Sequence, residues 1–288
     1  MSDDMKDISY NQFPFWFFPG LGSTDHWEIV DKSTGEYVGL VSDRDITVSE
    51  QCEDVKDSIM NSFRDFQKRP EYTIADPIEA VELADQETLI AAYEKKIEII
   101  CMIRAARAGK DPDQCGNAAK RCIDWLRSTD FYNAPASTRY HDSCVAGLLR
   151  HSIRVFNHGV RLMNDKAFSS VTSDSIGLVA LVHDWCKIDL YEPYMRNVKN
   201  PETGAWEQVQ NYRHNQKGLP LGHGVTSMFF ASKFFRLTSE EAVAIRWHMG
   251  VWNVSDNEVN ELQLCNEQFP LVHLLQFSDC LSITSYAN

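Results

Sequence analysis

From residue 86 to the C-terminus, apolar side chains recur mostly at intervals of three and four, the period of helices that bury one face. Leu89, Ala92, Ile97, Ile100 and Met102 predict a helix over 86–108, and shorter patterns predict helices over 52–67 and 115–127. The stretch 145–156 reads as a helix with His151 among its apolar positions. The next runs from Asp174 to Cys186, capped by Thr172 or Ser173. Leu221-Gly222-His223-Gly224 opens another. Thr238-Ser239-Glu240-Glu241 is a capping box, so a helix starts there and passes Ala244, Ile245 and His248 to a stop at Gly250. Pro270 suits the first turn of a last helix, on which Leu271, Leu275 and Asp279 share one face.

The N-terminal pattern differs. Trp27-Glu28-Ile29-Val30 and Glu36-Tyr37-Val38-Gly39-Leu40-Val41 flank Asp31-Lys32-Ser33-Thr34-Gly35, the signature of a hairpin. The polar stretch 190–220, with turn signals at Asn200-Pro201 and Thr203-Gly204, is expected to be a loop long enough to cover a substrate. With strands nearly absent after residue 50, the expected class is mainly α. The expectation is a helical bundle over 131–288 preceded by a small α+β extension over 1–130.

The most informative stretch is Leu178-Val179-Ala180-Leu181-Val182-His183-Asp184-Trp185-Cys186-Lys187. Burying His183 and Asp184 beside so many aliphatic side chains costs several kcal/mol unless they are hydrogen-bonded or hold a cation. Either explains the doublet by itself. His151, His248 and Asp279, however, also interrupt apolar helical patterns, and His223 sits at a helix start. Four imidazoles and two carboxylates suit two divalent transition metals such as manganese, iron, nickel or zinc, with Asp184 between them.

The order H…HD…H…H…D, with Gly147-Leu148-Leu149-Arg150-His151-Ser152 and His183-Asp184-x-x-Lys187, resembles the HD-domain metal-dependent phosphohydrolase superfamily over about residues 140–285. The first segment is most similar to its bacterial 3′-to-5′ exoribonuclease branch, where a histidine precedes the first ligand by ten residues, as His141 precedes His151. Met249 follows His248 where the HD-GYP cyclic-dinucleotide phosphodiesterases carry a second histidine, which sets that subfamily aside. The resemblance implies His151, His183, Asp184, His223, His248 and Asp279 as metal ligands. It also implies a metal-activated water attacking a phosphate ester, with Asp184 and Lys187 in the catalytic machinery. Lys187 is placed either to neutralise a phosphate or to hold Asp184. His141, Arg213, Lys217 and Arg246 are candidates for binding the substrate. The same six ligands occur in di-iron oxygenases resembling myo-inositol oxygenase, to which Ile245-Arg246-Trp247-His248 is faintly similar.

Charge narrows the partner. A net charge of −13 over 288 residues argues against long nucleic acid, whose binding depends on basic side chains neutralising phosphates. From Arg150 to Arg246, however, 12 Lys and Arg face 9 Asp and Glu, a net of +3 that leaves −16 for the rest. A small anionic, phosphate-containing substrate, such as a nucleotide, fits that centre. The eight cysteines contain no Cys-x-x-Cys pair and no signal peptide precedes them, so reduced thiols in a cytoplasmic protein are expected. Phe13-Pro14-Phe15-Trp16-Phe17-Phe18-Pro19 is too short and proline-rich to span a membrane. It is expected to pack internally or to join subunits of a homo-oligomer.

Overall fold

The computed structural model describes residues 15–19, 27–31, 37–42, 46–48, 84–108, 116–163, 165–215 and 218–284, together with Val81 and a few positions between 53 and 61. The helix expected over 52–67 falls mostly outside these residues, as does Lys217. Four strands, β1 (Phe15–Pro19), β2 (Trp27–Asp31), β3 (Tyr37–Val41) and β4 (Ile46–Val48), form an antiparallel meander. The expected hairpin is its β2–β3 pair, and the aromatic run supplies β1. Among its described residues Ile29, Val38, Val41 and Ile46 are buried apolar positions.

The remainder is mainly α, as the periodicity predicts. α1 (Gln86–Arg107) begins where the Asp85 carboxylate accepts the backbone N–H of Thr88, and it buries Leu89, Tyr93, Ile97 and Ile100 along one face. α2 (Gly116–Arg127) packs beside it. α3 (Gly147–Leu162), α4 (Ser173–Val182), α6 (Ser239–Trp247) and α8 (Pro270–Thr284) form the centre, with α8 lying across the other three. α5 (His223–Ser232) packs on α6, and α7 (Val259–Gln268) leads into α8.

α4 is apolar on every side because it is enclosed on every side. Leu178, Val179, Leu181 and Val182 have no exposed surface, which is worth about 1.5–3 kcal/mol for each side chain. This burial offsets the cost of the polar residues that follow. α4 stops earlier than the sequence suggests: Val182 is its last residue, His183 caps it, and Trp185–Lys187 form a separate 3-10 turn. The turn is pinned from α1. Trp185 Nε1 donates to Tyr93 Oη at 3.0 Å, and Tyr93 Oη donates to the Leu181 carbonyl at 2.8 Å.

Two of the close approaches that require glycine lie beside the helices that carry the histidines. A Cβ on Gly147 would lie 2.0 Å from the Asp142 carbonyl oxygen, and one on Gly224 would lie 2.2 Å from that of Arg246. The second contact lets the first turn of α5 sit against the end of α6.

Most of the polar stretch expected as a loop over 190–220 is regular structure. It forms a long antiparallel hairpin, β5 (Tyr191–Lys199) and β6 (Trp206–His214), in register from Tyr191↔His214 to Lys199↔Trp206. The turn residues serve as its tip: Asn200 Oδ1 accepts the N–H groups of Glu202 and Thr203, and Gly204 takes φ 71°. Both faces of its outer half are exposed, with Met195, Trp206 and Val209 in the open. No hydrophobic alternation is needed there, so none marks the strands in the sequence. Gly250 likewise begins a 3-10 turn, Gly250–Asn253, instead of ending the order, since α6 has already stopped at Trp247.

Candidate metal centre

The six residues singled out by position converge at one point. α3 contributes His151, the end of α4 contributes His183 and Asp184, the start of α5 His223, the end of α6 His248, and α8 Asp279. His151 Nε2 lies 3.2 Å from His183 Nε2, 3.2 Å from Asp279 Oδ1 and 3.4 Å from Asp184 Oδ2. His183 Nε2 is 3.4 Å from the same Asp184 oxygen. The other oxygen, Oδ1, faces His223 Nε2 at 2.8 Å and His248 Nε2 at 3.5 Å. Asp184 therefore divides the cluster into two halves, one on each carboxylate oxygen. His151, His183, Asp184 and His248 are all at most 2% exposed.

Each imidazole is held from behind, and in three of them the partner decides the nitrogen presented. His183 Nδ1 donates to the Ala180 carbonyl at 2.7 Å and His248 Nδ1 to the Ile245 carbonyl at 2.8 Å. In both cases a helix carbonyl three residues back supplies the acceptor. Ser282 Oγ donates to the Asp279 carbonyl, so its lone pair accepts from His151 Nδ1 at 3.1 Å. His223 differs, with Nδ1 3.3 Å from Cys186 Sγ. The four Nε2 atoms thus point inward, the arrangement that backs imidazoles bound to metal.

Electrostatics are balanced around Asp184. Burial alone pushes its carboxyl up, but the Lys187 ammonium, the neighbouring His183 and the hydrogen bonds from the histidines outweigh this and hold it well below the usual carboxylate range. Lys187 Nζ sits 2.6 Å from Asp184 Oδ2. Burial works to lower Lys187, yet Asp184 outweighs it and holds the ammonium charged. Burial pushes His183 and His223 below the ordinary imidazole value. In His151 burial is overcome by hydrogen bonds to Asp184 and Asp279, so its affinity for a proton rises. The same contact with His151, set against burial, depresses Asp279. His151 thus holds a proton more tightly than an ordinary imidazole, at the point where the two carboxylates converge.

The residues fit metal ions on two counts. His248 Nε2 is buried within the cluster with no hydrogen-bond partner among the described residues, a cost of about 1–3 kcal/mol that coordination would relieve. The donors also include groups of three or more within coordinating reach of one another, such as His151–His183–Asp184 and Asp184–His223–His248. Nitrogen and carboxylate donors together suit first-row transition metals.

The other candidates are distributed unevenly. The ring of His141 lies 4.9 Å from that of His151, and its Nε2 is buried and unpartnered among the described residues. Arg213 is on the hairpin, bound to Glu192 at 2.7 Å. Arg246 pairs with Glu258 and covers the Trp247 ring at 4.0 Å. Both guanidiniums are already engaged by carboxylates. Sequence reasoning missed three supporting residues: Cys186, Ser282 and Tyr191. Nothing in a sequence distinguishes a serine behind an imidazole from one in a core. Tyr191 is the first residue of β5, paired with His214 at the hairpin base, with its phenol under the influence of Lys187 and Asp184.

Comparison with protein-family models, curated proteins and solved structures finds no match to this chain. Among the described residues no helix is long and apolar enough to cross a membrane.

Proposed function

We propose that this protein is a metal-dependent phosphohydrolase of phosphodiesterase or nucleotidase type, cleaving a nucleotide, a cyclic nucleotide or a short oligonucleotide. One observation carries the reading: six donors from five helices meet in one buried cluster, four of them imidazoles shared between the two oxygens of Asp184, in the chain order of the HD-domain superfamily. When bound, two divalent transition metals supply Lewis acidity toward a phosphoryl oxygen and activate water as a nucleophile near neutral pH. His151, His183, Asp279 and Oδ2 of Asp184 would hold one ion. His223, His248 and Oδ1 of Asp184 would hold the other.

The chain's own residues do the rest. Lys187 keeps Asp184 ionised and fixed in rotation, so that each oxygen stays with its half. Burial lowers His141 to about 4, so at neutral pH it is an uncharged hydrogen-bonding group beside His151, placed to orient a phosphoryl oxygen or the leaving group. The hairpin begins four residues after Lys187, and the phenol of Tyr191 at its base is under the influence of Lys187 and Asp184, so this base borders the centre. That position suits a substrate-contacting wall.

The test is elemental analysis of anaerobically purified protein followed by a manganese-supplemented hydrolysis screen over nucleotides, cyclic nucleotides and short RNA. Metal-dependent release of phosphate or mononucleotide, lost in Asp184→Asn, is the expected result. Bound iron with dioxygen uptake and no hydrolysis would replace the proposal with the oxygenase reading. A protein that takes up no metal would remove both.

A further inference from the structure

Three of the four imidazoles are backed by groups that hold one tautomer. The carbonyls of Ala180 and Ile245 can only accept, and Ser282 has its proton committed to Asp279. Each therefore requires a proton on Nδ1 and leaves Nε2 to the centre. His223 alone is backed by a thiol, which both donates and accepts weakly. It is also the only one of the four with appreciable exposure, its side chain being 23% exposed while those of His151, His183 and His248 are at most 1%. On its inner side Nε2 lies 2.8 Å from Asp184 Oδ1, a separation at which a carboxylate requires a donated proton.

We propose that Cys186 is a two-way hydrogen-bonding partner that lets His223 switch tautomer, making the His223 half of the centre the weaker and exchangeable cation site. The proposal rests on the metal reading above. Without a cation, His223 Nε2–H donates to Asp184 and the Cys186 S–H donates to Nδ1. With a cation on Nε2, the imidazole proton sits on Nδ1 and is donated to a sulfur lone pair, while the S–H rotates away. No proton is gained or lost: the imidazole proton moves from Nε2 to Nδ1 through the solvent that reaches this side chain. The thiol faces Nδ1, on the far side of the ring from the centre, so it is a positioning residue and not a ligand. Its backbone stays in place by an independent contact, since Cys186 N donates to Ser227 Oγ at 3.0 Å, where Ser227 is fully buried.

The consequence is an ordered centre. A cation entering the His223 half must first break the bond to Asp184 and is backed by a weak acceptor. In the other half, His183 is already in the binding tautomer, and His151 has its Nδ1 proton held by Ser282, so an entering ion displaces only the proton that Asp184 and Asp279 favour on Nε2. Loss of a partner behind a metal-bound imidazole lowers metal affinity about 10–100-fold.

Two measurements test this. In metal-free protein labelled with nitrogen-15 histidine, NMR is expected to show His223 as the Nε2–H tautomer, changing to Nδ1–H when two equivalents of diamagnetic zinc(II) are added. In cobalt(II) titrations followed by absorbance and equilibrium dialysis, two steps are expected, the weaker absent in His223→Ala. Cys186→Ala should weaken that step about 10-fold, Cys186→Ser should leave it within about 3-fold, and neither should move the tight step. A His223 already Nδ1-protonated without metal, or a weaker step indifferent to Cys186→Ala, overturns the inference while leaving the metal centre standing. Failure of the wild type to take up any cobalt overturns both.

Discussion

Lys187→Met is the most informative single perturbation. Lys187 is 8% exposed and its ammonium is 2.6 Å from the Oδ2 of an aspartate that is itself 2% exposed. Removing one partner of such a pair leaves an uncompensated buried charge, for which costs of about 3–5 kcal/mol are typical. Here Asp184 keeps its hydrogen bond from His223 and its proximity to His151, and it can take up a proton, so the lower end, about 3 kcal/mol, applies to metal-free protein. At roughly 2 °C or more per kcal/mol, the midpoint should fall by about 6 °C in chelator. Methionine keeps the length and apolar stem, so lost packing contributes little. With a divalent cation on Asp184 the charge is compensated again, and the variant should recover most of the difference. By reciprocity it should also bind the cation more tightly than the wild type, since one positive charge has left the site. Urea unfolding of both proteins, with chelator and with saturating manganese, measures all four stabilities. An equal deficit with and without metal, or a deficit under about 1 kcal/mol in chelator, would show that Lys187 is not the charge that balances Asp184.

Four further outcomes follow from the same geometry. Saturating the wild type with a binding cation at 100 times its dissociation constant should stabilise it by about 2.7 kcal/mol, read as a rise in thermal midpoint that chelator reverses. Metal affinity should climb as pH rises above the ordinary imidazole value, because an ion on His151 competes with a proton held more tightly than usual; cobalt titrations at several pH values from 6.5 upward check it, and a flat profile would contradict this competition. His141 is lowered from 6.5 to about 4, so in chelated protein the unfolded chain protonates first as pH falls, and stability is lost between those values; His141→Gln should flatten that loss in denaturant titrations. Gly224→Ala would put a Cβ 2.2 Å from the Arg246 carbonyl, so α5 and α6 must separate, with an expected loss of about 1–3 kcal/mol and reduced occupancy of the His223 half by elemental analysis.

Much of this molecule is legible in its sequence, because most of its elements bury one face. The spacing of Leu89, Ile97 and Ile100 marks α1, and the capping box at Thr238 is realised with both of its hydrogen bonds. The six polar residues stand out for the same reason: each interrupts or adjoins an apolar pattern where solvation is lost, so each requires a partner. The hairpin at 191–214 was invisible because its outer half meets water on both faces, leaving no period to read. Arg213 and Arg246 looked available only because Glu192 and Glu258 lie 21 and 12 residues away along the chain.

The sequence by itself determined that the protein is mainly α and that four histidines and two aspartates occupy positions where burial is costly. Only the tertiary structure decided that these six share one point, that Asp184 turns a different oxygen to each half, and that His223 is backed by a thiol while its three neighbours are backed by oxygen. The physical reason is range. Periodicity and capping act within a few residues and are written locally, whereas convergence of side chains from five helices depends on how those helices pack, which is set by contacts such as Gly224 on Arg246 and Tyr93 on Leu181 that no local pattern contains.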